Sequence, residues 1–214
     1  MLLLFISIPD DYDLDDKSYF PTSAGQNLIH VAILELEGQQ VFAIDATLKY
    51  GVDRHPLDTL LSQFTLRGGR LPRIEVKRLA EGQQIHMPIA REAVKRAETY
   101  LGDAYDTAFD PENDALYCSE LVHLCYLDAD GKPLFPLHEI DLRTVPPARI
   151  RRGSPDGPQA NPVRQGPDRS EYTIPRYWEQ LCRLAGIALP QGDGIMPADI
   201  YASPLLRTVN VTLP

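Results

Sequence analysis

The chain of 214 residues carries 30 acidic against 21 basic side chains, a net charge of −9. That balance argues against nucleic-acid binding through phosphate contacts. With 43% hydrophobic and 24% charged residues, the composition is that of an ordinary globular protein with room for a full-sized core. One domain spanning residues 1–214 is the expectation.

Leu2–Ile8 opens the chain as a short apolar run. It has no basic start, is far below membrane-spanning length and runs into the acidic stretch Pro9–Asp16. It reads as a buried strand rather than a secretory signal, and the sequence leaves the compartment open between cytoplasm and cell envelope. Asp10–Gly25 is a polar loop. Leu28–Leu36 and Val41–Thr47 are β-rich runs around Glu37-Gly38-Gln39-Gln40, which predicts a hairpin. Pro56–Phe64 has leucines at helical spacing, with Asp53 as its candidate cap. Arg73–Leu79 alternates as a strand does. Pro88–Leu101 predicts a helix with Pro88 at its start, a stripe of Ile89, Ala93, Ala97 and Leu101, and Gly102 as its stop.

A loop over Asp103–Asp114 leads into "ALYCSELVHLCY", where Leu121, Val122 and Cys125 share one helical face with Cys118. Asn113 or Asp114 is the expected cap of this helix. Pro133–Ser170 is rich in Pro, Gly and Arg and predicts an irregular excursion, with an insertion at about 145–170. Its arginines (143, 149, 151, 152, 164 and 169) read as a solvated loop. Ile174–Ala185 predicts a last helix with Cys182 inward. Strands and helices mix without a β-α-β rhythm, so the expected class is α+β with an antiparallel sheet.

The three cysteines, 118, 125 and 182, form no disulfide framework and no CxxC metal pair. Cys118 and Cys125 lie about 10 Å apart by helical rise, too far to bridge. At least one thiol is free, and Cys118 is either a packed small hydrophobe or a nucleophile. A nucleophilic thiol gains from a helix N-terminus, from a neighbouring histidine and from a third group that orients the histidine.

Of the five histidines, His123 sits round the helix from Cys118, His55 and His86 lie beside prolines in turn-like surroundings, and His138 falls in the irregular region. His30 begins the strand "HVAILEL", and across the hairpin "VFAIDAT" carries Asp45 mid-strand, where Asp is disfavoured. If Glu37 and Gly38 form the turn, His30 faces Asp45. If the loop is Glu37–Gln40, His30 faces Thr47 and Asp45 is the diagonal neighbour. Both registers put the pair on one face; a one-residue slip would separate them. Neither register says where Cys118 is.

"YLGDAYDTAFDPENDALYCSELVHLCY" resembles the cysteine segment of the NlpC-type papain-like hydrolases, in the circularly permuted, YiiX-like branch where the histidine strand precedes the cysteine helix. "LIHVAILEL" resembles the histidine strand, "VFAIDATLKYGVDRHPLDTLL" the following strand and helix, "LLLFIS" the first barrel strand and "IPRYWEQLCRLAGIALPQGDGIMPADI" the closing helix and tail. The likeness fails around Val145–Ser170, and Ile29 stands where serine is common in that family. The resemblance implies a permuted papain-like α+β fold, with a small antiparallel barrel-like sheet packed against a helix bearing the cysteine near its N-terminus. It implies Cys118 as nucleophile, His30 as general base and Asp45 as the orienting third residue. Tyr105 is either an oxyanion-site contributor or a hydrogen-bonded packing residue. Glu120 reads as a capping or packing group of the helix.

The reaction implied is amide hydrolysis through a thioester by a cysteine peptidase or amidase. Its expected partner is a small peptide, a peptidoglycan stem peptide or an N-acyl amino acid. No cofactor, metal or integral membrane segment is expected, and the sequence leaves the oligomeric state open. Two alternatives stand beside it. One is lipid acyl transfer of the lecithin–retinol acyltransferase-like type, which shares thioester chemistry. The other is a non-catalytic binding module in which Cys118 only packs.

Overall fold

The computed structural model describes residues 2–9, 27–80, 86–110, 112–141 and 191–210. Eight strands and four α-helices lie among them: β1 (Leu2–Ile8), β2 (Asn27–Glu37), β3 (Gln40–Thr47), β4 (Gly51–Pro56), α1 (Leu57–Gln63), β5 (Arg73–Leu79), α2 (His86–Thr99), α3 (Cys118–Cys125), β6 (His138–Asp141), β7 (Gln191–Gly194), α4 (Pro197–Ala202) and β8 (Leu206–Val209). Six strands form one sheet in the order β4-β3-β2-β1-β5-β8, every pair antiparallel; β6 and β7 make a separate ribbon. The α+β expectation is met, and the sheet packs against the helix that carries Cys118.

The unbroken apolar run of β1 is explained by its position. It is a central strand, paired with β2 and β5 at its edges and covered by a separate core on each face, so there is no solvent face to alternate with. Leu3 and Phe5 join the core under α2, α3 and α4, while Leu4 and Ile6 join the smaller core under α1. The β2–β3 hairpin turns at Gly38-Gln39, with Glu37 opposite Gln40. Gly38 takes a φ of +62°, which its lack of a Cβ permits without strain.

Several local readings are corrected. Gly51–Pro56 is a strand, not turn-like: "GVDRHP" has little β-propensity, but pairing with β3 from Phe42 to Thr47 imposes extension. Asp53 is therefore a strand residue, not the cap of α1, whose N-terminus at Pro56 has no side-chain cap. The cysteine helix begins at Cys118 itself, with Tyr117 extended before it; Asn113 instead closes a turn by accepting from Ala115 N–H at 2.7 Å. Helix α2 starts two residues before Pro88 and ends at Thr99, which leaves Leu101 exposed while Ile89, Ala93 and Ala97 are buried. The stretch read as irregular from Pro133 contains β6 before the described residues stop. The loop Asp10–Gly25, the arginine-rich stretch from Arg143, the insertion at about 145–170, the helix Ile174–Ala185 and Cys182 lie outside the described residues.

Candidate active site

Cys118 is the first residue of α3, so the N–H groups of this turn have no acceptor one turn back and face the sulfur end of the helix. The flanking residues fix the start of the helix. Tyr117 Oη accepts from the N–H of Ile195 at 3.0 Å, and Ser119 Oγ donates to the carbonyl of the same Ile195 at 2.7 Å. Glu120 folds back to accept from Tyr117 N–H at 3.4 Å, the reach-back half of a capping box. Burial pushes its carboxyl up to about 8, with Asp106 and Asp110 adding to the rise against that hydrogen bond. Cys118 and Cys125 are both free and buried.

His30 lies on β2 immediately after a bulge. Ile6 of β1 pairs with His30, but Ser7 pairs with Leu28, so Ile29 is the extra residue. Alternation breaks there: Leu28 and Val31 both face the α3 core, and Ile29 and Ala32 both join the α1 side. A bulge re-aims the side chain beside it, and here that side chain is the imidazole. Its Nε2 is 2.6 Å from Asp45 Oδ2, and its ring packs on Phe64 with centroids 4.6 Å apart. The strand register is the one that makes Asp45 a diagonal neighbour: the ladder runs Ile33 to Ile44 and Glu37 to Gln40.

Cys118 lies close enough to the same imidazole for its sulfur to raise the ring's hold on a proton. With Nε2 committed to Asp45, Nδ1 is the nitrogen left for the sulfur. Burial pulls the imidazole's proton affinity down, but Cys118 and Asp45 together outweigh it, and His30 is raised to about 10. Burial works to raise the Asp45 carboxyl, but its hydrogen bond with His30 and its charge contact with His55 outweigh that and hold it below the usual carboxylate range. Helix start, bulge and hairpin thus gather Cys118, His30 and Asp45, which the sequence could pair only in part.

Tyr105 is placed less directly. It is half-buried against the α3 core and forms an isolated parallel bridge with Leu116, two residues before the cysteine. His123 points away, its Nδ1 2.6 Å from the Phe135 carbonyl, and His138 lies 3.4 Å from Asp199 on the β6–α4 side.

His55 is the residue that sequence reasoning missed. It is buried on β4, with Nε2 3.2 Å from Asp45 Oδ1. The signal was available: in a β3–β4 hairpin with Asp45 opposite Asp53, His55 is the diagonal neighbour of Asp45. Reading Pro56 as the mark of a turn hid the strand.

Among the described residues, no group of three or more His, Cys, Asp or Glu side chains is arranged to hold a metal ion, and no helix is long and apolar enough to cross a membrane.

No curated protein matches the chain. Among solved structures, the crystal structure of metalloprotein YiiX from Escherichia coli O157:H7 matches with a TM-score of 0.64 at 18% identity, covering 100% of this chain and 97% of that one. At that identity the likeness concerns the fold. The sequence model of the permuted papain-like amidase enzymes, YaeF/YiiX, C92 family, matches residues 11–156. With the histidine strand ahead of the cysteine helix in the chain, and an antiparallel sheet packed on that helix, the protein belongs to the permuted papain-like amidases of the C92 family.

Proposed function

We propose that the protein is a cysteine amidase in which Cys118 is the nucleophile, His30 the general acid–base and Asp45 the group that orients His30. The observation that carries this reading is the imidazole shared between Asp45, at 2.6 Å, and Cys118. A proton held on His30 beside the sulfur favours the thiolate, the form that attacks. The thiolate adds to an amide carbonyl, and the oxyanion is stabilised by the N–H of Cys118 at the start of α3, with Tyr105 as the candidate second donor. One such donor is worth about 3–4 kcal/mol where it has been removed. The tetrahedral adduct expels the amine as His30 passes it a proton, leaving a thioester. Neutral His30 then takes a proton from water, hydroxide equivalent adds to the thioester, and the acid leaves as the sulfur is released.

The substrate class is a small acyl amide: a short peptide, a peptidoglycan stem peptide or an N-acyl amino acid. Family membership supports the amide bond; the acyl and amine parts are this proposal's own. The test is a panel of these amides assayed with the wild-type protein and Cys118→Ala. The expected result is turnover of at least one amide, trapping of an acyl adduct on Cys118 by mass spectrometry, and loss of both in the variant. Full turnover by Cys118→Ala would remove the proposal.

A further inference from the structure

We propose that His55 is a positioning residue that acts on Cys118 through Asp45, so that the site is a row of four groups rather than three. This rests on the reading of Cys118, His30 and Asp45 given above. The row crosses three adjacent strands: His30 on β2, Asp45 on β3, His55 on β4. Asp45 and Asp53 stand directly opposite each other in the β3–β4 ladder. Two carboxylates so placed repel. The His55 ring lies between them, with Nε2 3.2 Å from Asp45 Oδ1 and Nδ1 3.5 Å from Asp53 Oδ2. A ring with a carboxylate at each nitrogen is best served by a proton on both, which makes it a cation.

A second observation comes from the polar atoms themselves. Asp45 Oδ1 and His55 Nε2 are each buried with no aligned hydrogen-bond partner. They lie 3.2 Å from each other. Buried polar atoms are costly when left unserved, so a small rotation that aligns this pair is favoured, and it fixes the plane of the carboxylate whose other oxygen holds His30. The contact with Asp45 is also the main influence raising the proton affinity of His55, against burial.

The charged groups facing His55 are Asp45 from β3 and Asp53 from its own strand, with His30 of β2 and Cys118 of α3 beyond Asp45. Helix α1 contributes Leu57 and Leu60 to the core on this side. Arg54, next in sequence, turns to Glu35 and Glu37 instead.

His55 then does two separable things: it orients Asp45, and it supplies a positive charge that favours the thiolate. The experiment measures the rate of iodoacetamide modification at Cys118 by peptide mass spectrometry, as a function of pH, in the folded full chain. Wild type, His55→Ala and His55→Gln are compared, with folded fraction checked by circular dichroism. His55→Gln keeps an N–H donor toward Asp45 but no charge.

The expected result is a loss of about tenfold in rate at neutral pH for His55→Ala, substantial recovery in His55→Gln, and an acid-limb midpoint moved upward in both variants. Rates and midpoints equal to wild type would overturn the inference. So would a loss that follows the folded fraction with the midpoint unmoved, which is what a purely structural residue gives. An unreactive Cys118 in the wild-type chain is a different failure, one that removes the underlying reading.

Discussion

Tyr117 and Ser119, the residues on either side of Cys118, both bond to the backbone of Ile195, one to its N–H and one to its carbonyl. The two bonds reach across 78 and 76 residues of chain. They tie the start of α3 to the segment between β7 and α4, so the sulfur is held from both sides by one distant residue.

That clamp is testable by single atoms. Tyr117→Phe strands the Ile195 N–H and Ser119→Ala strands its carbonyl, each at a cost of about 1–3 kcal/mol in a buried setting. If the clamp aims Cys118, the rate of modification at Cys118 falls by more than the loss of folded protein explains. Denaturant melts and alkylation rates measured side by side separate the two effects. Equal rates per folded molecule would leave the clamp with a structural role only.

The raised affinity of His30 for its proton carries a stability prediction. Its folded value of about 10 exceeds its unfolded value of 6.5. The stabilisation is therefore fully present below pH 6.5 and is lost as pH rises toward 10. Asp45 runs the other way: its value is lowered in the fold, so its contribution is present above 3.8 and lost as pH falls below that. Wild-type Tm should decline from pH 6.5 to 10. The decline should be shallower in Cys118→Ala, which takes away the sulfur that helps raise His30. Identical slopes in the two proteins would contradict the coupling.

Glu120 gives a stabilising substitution. Its carboxyl ionises at about 8 in the fold against 4.5 when free, so ionisation favours unfolding over that interval, and stability present below 4.5 is lost by pH 8. Glu120→Gln keeps an acceptor for the Tyr117 N–H and never ionises. A gain on the order of 4 kcal/mol at pH 8, shrinking toward nothing at pH 4.5, is expected in urea melts. A destabilised variant at pH 8 would mean that the charge is served by contacts other than this hydrogen bond.

Gly51 marks where β4 starts. Its φ is +67°, and a Cβ there would lie 2.1 Å from the Asp103 carbonyl oxygen. The neighbouring hydrogen bonds, Val52 N–H to Asp103 and Gly102 N–H to Val52, leave that backbone little room to retreat. Gly51→Ala should destabilise by roughly 2–3 kcal/mol, from strain and clash together. Because β4 carries His55, it should also slow Cys118 modification. A thermal melt within a degree of wild type would show that the two segments can part at little cost.

Much of this was legible in the chain itself, because local rules suffice there. The continuous apolar run of β1, the hairpin and the helical face of Cys118 and Cys125 follow from side-chain period and turn chemistry. Parity alone put His30 and Asp45 on one face under either turn, since a pairing register can only preserve or invert sidedness. What tertiary structure decided lies between elements distant in sequence. β4 is a strand because β3 offers it a ladder, not because its residues favour extension, and so His55 became a neighbour of Asp45. The bulge at Ile29 arises from the register of β2 against β1, a relation between strands that composition does not encode. The meeting of Cys118 with His30, and the hold on Ile195, needed α3 to pack on the sheet. Periodicity assigns a residue to a face; only packing chooses which face meets which.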